Sequence, residues 1–239
     1  MIYTSILSGS WIEPLTSKIR NRGALWLFVY LFLGAFTAAR EGEAGMTVWQ
    51  WNFDTEPIGQ APSGFTFGRT GSGRFGRWVV QNDKDAPSGG QVLAQVDADN
   101  TSYRFPVAVA NEPVLRDLQI SVRCKSVTGT VDQACGVVFR YTDENNYYVA
   151  RANALEDNVR FYSVKNGKRI QLASWSGRVS SGFWHELRVD AQGDRFSIFW
   201  GGQKVITASD KTFPDGGKIG LWTKADSVTY FDSLSAEAS

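Results

Sequence analysis

From Met46 onward, apolar residues recur at every second position in short runs, and clusters of Gly, Asn, Asp and Pro interrupt those runs. No stretch shows the three-and-four spacing with which a helix gathers an apolar face, so helical folds are set aside and strands joined by tight turns remain. The run Phe183 to Asp190 reads F-W-H-E-L-R-V-D, turns at Ala191-Gln192-Gly193 and resumes from Arg195 to Trp200. Gly201-Gly202 then turns the chain into Lys204 to Ala208. Asn166-Gly167 suits a type I′ hairpin, whose two central residues need positive φ. On its arms, Val159, Phe161 and Ser163, and across from them Ile170, Leu172 and Ser174, are expected to face the core. Evenly spaced strands without helices predict an all-β fold, a two-sheet antiparallel jelly-roll sandwich of about a dozen or more strands. Trp222 and Phe231 are expected in its last two strands. The stretch from Glu56 to Arg77, rich in Gly, Ser and Pro, reads as a long surface loop.

The first 45 residues read as an address. Ala24 to Ala39 is an uncharged, mostly apolar run, preceded by Lys18, Arg20 and Arg22 and closed by the small residues Thr37, Ala38 and Ala39. Basic, apolar and small residues in that order make a secretory signal peptide. The run is shorter than the roughly 20 residues of a membrane-spanning helix, and both a cleaved signal and an uncleaved anchor remain open. Residues 1–45 are thus a signal peptide or signal anchor, and 46–239 the domain, with the mature chain beginning between Arg40 and Met46. Export to the periplasm, cell surface or medium follows, with no other membrane contact.

Charge narrows the partners. The chain carries a formal +1; its first 39 residues hold Lys18, Arg20 and Arg22 against Glu13, which leaves about −1 for the rest. A phosphate backbone attracts proteins through clustered cations, so a near-neutral domain is not a nucleic-acid binder. Nine Trp within 13 % aromatic residues fill a core or stack on flat ligands such as sugar rings. Cys124 ends one run and Cys135 opens another; a hairpin turning at Gly129-Thr130 would set them opposite each other, as a disulfide or as a reduced pair. Two cysteines and one histidine fall short of the four ligands of a zinc site.

No serine nucleophile elbow, phosphate-binding Walker loop or H-E-x-x-H motif is present. The paired-carboxylate strand E-x-D-x-x-E of jelly-roll glucanases is missing too. His185 reads as a half-exposed strand residue. Asp97, Asp99 and Asn100, like Asp143 to Asn146, read as turns. Asp54 and Asp232 each follow a Phe near the two ends of the domain, where first and last strands lie side by side. They are a candidate pair for a structural Ca²⁺, which takes oxygen ligands. The richest set of donors and aromatic planes lies from Arg140 to Trp175. The ligand-binding candidates there are Arg140, Arg151, Asn153, Arg160, Tyr162 and Trp175, with Tyr148 and Arg169 beside them. Alternation forbids all of them from sharing one face. The loop at Leu155-Glu156-Asp157 brings Arg151 and Arg160 into register, where a ligand or a nearby carboxylate must offset two like charges.

The segments G-V-V-F-R-Y-T-D-E-N-N-Y-Y-V-A-R-A-N from Gly136, N-G-K-R at Asn166, G-F-W-H-E-L-R-V at Gly182 and G-K-I-G-L-W-T-K-A-D-S-V-T-Y-F-D at Gly217 resemble a bacterial family. It is the concanavalin A-like lectin/glucanase jelly rolls, in the branch of the 3-keto-disaccharide hydrolase, glycoside hydrolase family 16-like domain. Exo-inulinase β-sandwich modules and fructan-binding modules are similar. The resemblance runs from about Trp49 to Ala236 and implies a carbohydrate ligand. Three readings follow: a non-catalytic carbohydrate-binding module, a hydrolase or lyase of glycosides such as 3-keto-disaccharides, and a structural sandwich of an exported complex.

Overall fold

The computed structural model describes residues 47–239, so the expected signal segment lies outside the described residues. The described chain forms fifteen strands in two antiparallel sheets, with turns and loops between them and no helix. One sheet has eight strands. In spatial order they are β13 (Gln203–Ser209), β12 (Arg195–Trp200), β11 (His185–Gln192), β6 (Leu118–Thr128), β15 (Val228–Ala238), β4 (Gln91–Gln95) and β3 (Trp78–Asn82), with β1 (Val48–Trp51) paired to β15. The other sheet runs β10 (Lys168–Ser176), β9 (Asn158–Lys165), β8 (Asn146–Asn153), β7 (Ala134–Asp143), β14 (Lys218–Trp222), β5 (Arg104–Ala110) and β2 (Phe65–Gly71). Trp222 and Phe231 fall in the last two strands, as the alternation indicates.

The two sheets bury their faces differently. Strand β6 reads L-Q-I-S-V-R-C-K-S-V-T, and Leu118, Ile120, Val122 and Cys124 are buried while Gln119, Ser121, Arg123 and Lys125 are partly exposed. That is a sheet with one face on the core and one toward water. Strands β5 and β8 are buried almost throughout. Their inward residues join the core between the sheets, where Phe196 of β12 meets Tyr148 and Phe161 at 5.0 Å and Phe139 at 5.8 Å. Their outward residues Phe105, Val107, Val109, Tyr147 and Val149 form a second apolar layer with Tyr162 of β9 and Trp222 of β14.

Two expectations are corrected here. The Glu56–Arg77 stretch contains β2, paired along its whole length with β5. Its Gly and Arg residues mask a short alternation in which Phe65 is buried and Phe67 packs on the core. In the Asn166-Gly167 hairpin, Val159 and Phe161 do face the core, and Ile170 stands opposite Ser163 but is 58 % exposed on this edge strand, while Ser174 stands opposite Arg160 on the outer face. A bulge between Gln171 and Ala173 shifts the register by one residue, and a one-residue shift sends every later side chain to the opposite face.

Cys124 and Cys135 form a disulfide. Because β6 and β7 belong to different sheets, the bond joins the two layers, and the expected single-sheet hairpin is instead a crossing. The Asp226 carboxylate fastens that crossing by accepting the amides of Thr130, Val131 and Asp132 at 2.7–3.1 Å. Burial pushes this carboxyl up, but the amides outweigh it and hold it below the usual range. Replacing both cysteines by serine is expected to lower the unfolding free energy by about 2–3 kcal/mol, the entropy of closing a short loop. Urea unfolding of the oxidised protein and the double variant measures this. A difference under about 1 kcal/mol would mean that the Asp226 clamp holds the crossing unaided.

Candidate binding face

The outer face of the seven-stranded sheet gathers four of the six candidate ligand residues. In the β8–β9 hairpin, Arg151 stands opposite Arg160, Asn153 opposite Asn158, and Val149 opposite Tyr162. Glu156, in the connecting loop, spans the two guanidiniums: its Oε2 lies 2.9 Å from Arg151 Nη2 and 3.2 Å from Arg160 Nη1. The Tyr162 hydroxyl accepts from Arg151 at 3.3 Å and Arg160 at 3.4 Å. Arg151 also donates to the Asn158 side-chain oxygen. Beside this group, Lys224 pairs with Asp132 and lies 3.9 Å from Glu156, and Asn153 donates to Asp132. Asp132 has no exposed surface. Glu156 also walls a recess of about 860 Å³ shared with Ser176, Arg178, Ser180 and Phe183, and Phe183 is 66 % exposed at that opening.

The electrostatics of the cluster are uneven. Burial raises the Asp132 carboxyl, and the Lys224 ammonium only partly offsets this. Burial also acts to raise Glu156, but the Arg151 charge, the Asn158 amide and the Arg160 charge together hold it below its ordinary value. Tyr162 behaves likewise: burial is outweighed by Arg151, Arg160 and Arg169, and the phenol is lowered. The cluster thus offers one ionised, partly exposed carboxylate framed by fixed cationic donors.

Beside it lies an aromatic floor. Trp222 stacks on Phe105 with centroids 5.2 Å apart, and Gly136 sits in register between Arg151 and Trp222. A Cβ at Gly136 would stand 3.1 Å from the Arg151 Cβ and 3.2 Å from the Trp222 ring, so the bare glycine lets both side chains settle. Arg169 lies over this floor, 4.4 Å from the Tyr162 centroid, 4.5 Å from Phe105 and 5.9 Å from Trp222. The Tyr103 hydroxyl accepts the Arg169 amide and donates to the Gly167 carbonyl, tying the tip of the β9–β10 hairpin to the start of β5.

The remaining candidates go elsewhere. Arg140 takes φ = 47° at an irregularity in β7. Its buried guanidinium donates to the carbonyls of Arg116, Phe213 and Gly193 at 2.6–3.0 Å, so it is a structural tie and leaves the outer face. Trp175 is turned inward by the β10 bulge: it stands opposite Val159 and packs on the core between the sheets. Its ring crosses Gly177, where a Cβ would lie 2.1 Å away. Tyr148 also faces inward, at Phe139 and Phe196. His185 packs on Trp200 at 4.8 Å in the other sheet, and burial lowers its pKa.

β1 and β15 are neighbours, and Asp54 and Asp232 both face the loop 88–91. Asp232 accepts the Ser88 amide and hydroxyl at 2.7 Å, and Asp54 accepts the Gln91 amide at 3.1 Å. Both carboxylates thus anchor this loop through protein donors. Among the described residues, no group of three or more His, Cys, Asp or Glu converges as a metal site. Sequence reasoning missed Asp132, Asn158, Lys224 and Trp222 as members of the cluster. Only Asn158 had a readable signal, as the hairpin partner of Asn153.

No family model matches the chain. Over 97 residues it is 29 % identical to levanase of Bacillus subtilis (strain 168), a stretch equal to 40 % of this chain and 14 % of the levanase. Among solved structures, carbohydrate binding module CBM66 from Bacillus subtilis aligns with a TM-score of 0.56 and 24 % identity, covering 73 % of this chain and 95 % of that one. The VIP36 exoplasmic/lumenal domain in its Ca²⁺/Man-bound form aligns with a TM-score of 0.53 and 13 % identity, covering 78 % and 88 %. The fold is therefore the β-sandwich that these carbohydrate-binding and lectin-like proteins share.

Proposed function

We propose that the domain is a carbohydrate-binding module whose ligand docks on the outer face of the seven-stranded sheet, and that the ligand is a fructan. The observation that carries this is Glu156, an ionised carboxylate one-third exposed, clamped between two register-paired arginines beside the Tyr162 hydroxyl. A sugar presents neighbouring hydroxyls that each donate and accept. A fixed acceptor flanked by fixed donors matches that pattern, and charge-assisted hydrogen bonds are the stronger kind. The stretch shared with levanase supports fructan among the glycans. Work outside the cytoplasm suits the disulfide, which oxidising compartments preserve.

The cluster favours binding over glycoside hydrolysis. A glycosidase needs one reachable carboxyl that holds a proton and a second that is ionised. Asp132 is the carboxyl in the cluster raised by burial, and it is sealed from solvent. Glu156 is held ionised. The test is calorimetric titration with levan, inulin and a glucan, alongside an assay for released reducing sugar. Levan or inulin should bind without being cleaved. Glu156→Gln and Arg160→Ala should each weaken binding at least about tenfold; Arg160→Ala, which breaks only a pair exposed on both sides, should move the melting temperature only a few degrees, whereas Glu156→Gln also takes the counter-ion from buried Arg151 and should lower it further. Undiminished binding by both variants would place the ligand elsewhere, and steady sugar release would establish the hydrolase reading.

A further inference from the structure

Arg169 differs from the other well-covered arginines of the domain. Arg104 reaches Asp97 and the carbonyls of Arg74, Phe75 and Ala225. Arg140 holds three carbonyls, and Arg151 holds Glu156 and Asn158. The Arg169 guanidinium has no carboxylate within ion-pair distance among the described residues, and its Nη1 is buried without an acceptor. What surrounds it is aromatic: Tyr162, Phe105 and Trp222. Arg169 is partly covered rather than fully buried, and cation–π attraction offsets only part of the cost of covering a charge that has no counter-ion. The neighbourhood offers no relief, because Arg151, Arg160, Arg169 and Lys224 face only Glu156 and Asp132, and those two carboxylates are already engaged by Arg151, Arg160 and Lys224.

We infer that Arg169 receives an anionic group of the bound glycan, a carboxylate or a sulfate ester, one aromatic ring away from the hydroxyl-binding cluster. This rests on the carbohydrate reading above and adds a chemical class to it. The Tyr162 ring separates the two subsites, with Arg169 4.4 Å and Arg151 5.9 Å from its centroid. A planar guanidinium fork matches the paired oxygens of either group. The ligand supplies the counter-charge that the fold withholds.

The test compares three forms of one fructo-oligosaccharide: neutral, with a terminal carboxylate, and with a sulfate ester. Titration is done at about 0.15 M salt, where non-specific surface attraction is screened. At least one acidic form is expected to bind about tenfold or more tighter than the neutral form, and the two acidic arms tell carboxylate from sulfate. Arg169→Gln should collapse that ratio to within about twofold, and Arg169→Lys, which keeps the charge and guards against misfolding, should retain only part of it. Lys168→Gln, on the exposed neighbouring residue, should leave the ratio intact. Equal binding of all three forms by the native protein, or a ratio that survives Arg169→Gln, overturns the inference while the carbohydrate reading stands. If no form binds, both fall.

Discussion

Arg104→Ala is expected to lower the stability of the domain by about 3–5 kcal/mol, the cost of removing one partner from a buried ion pair. In a domain of this size that corresponds to a fall of about 10 °C in melting temperature. Arg104 has no exposed surface, and its three nitrogens act on three separate segments. Nε donates to the Arg74 carbonyl at 2.7 Å, Nη2 to Asp97 at 2.9 Å, and Nη1 to the Ala225 carbonyl. The Ala225 amide returns a bond to the Arg104 carbonyl at 2.9 Å. One side chain thus binds the loop before β3, the loop after β4 and the turn after β14 to strand β5. With alanine, the carbonyls lose their donors in a space closed to water, and each buried unpaired group costs about 1–3 kcal/mol. Equilibrium urea unfolding with matched slopes measures the change. A loss under about 1 kcal/mol would mean that water enters and replaces the guanidinium.

Trp222→Ala is expected to cost about 3–5 kcal/mol and to abolish glycan binding together. The indole is fully buried at the centre of the outer apolar layer, stacked on Phe105 and crossed by Arg169. The bare backbone of Gly136 beside it leaves a void that no neighbouring side chain can fill. Arg169 then loses one of its three rings, and the floor beneath Tyr162 loosens. Near-ultraviolet circular dichroism and titration with levan report the two consequences separately. Trp222→Phe, which keeps a ring in place, should recover most of the stability. A stable Trp222→Ala variant that binds normally would remove this layer from the site.

Much of the fold was legible because it rests on alternation. In β6 the period of two is unbroken, since one face meets the core and the other meets water. The Asn-Gly hairpin and the pairing of Arg151 with Arg160 follow from local turn chemistry and from counting residues back from the loop. The same counting put Glu156 and Asp157 in the loop beside both arginines, but did not tell which of these, or Glu144, would pair with them. Where both faces of a strand are buried, as in β5 and β8, alternation no longer tells inside from outside. Trp222 therefore looks alike in sequence to residues of the inter-sheet core.

The sequence alone determined the all-β class, the tight turns at Asn166-Gly167, Gly193 and Gly201-Gly202, and the cation-rich hairpin, because each depends on residues within a few positions of one another. Tertiary structure decided which side chains share a face. The β10 bulge turns Trp175 inward, and the irregularity at Arg140 commits that guanidinium to backbone carbonyls. The crossing between the sheets, closed by Cys124–Cys135 and Asp226, carries Asp132 to Asn153 and Lys224. Register shifts and sheet-to-sheet crossings arise from packing between distant strands, and no local pattern of residues encodes them.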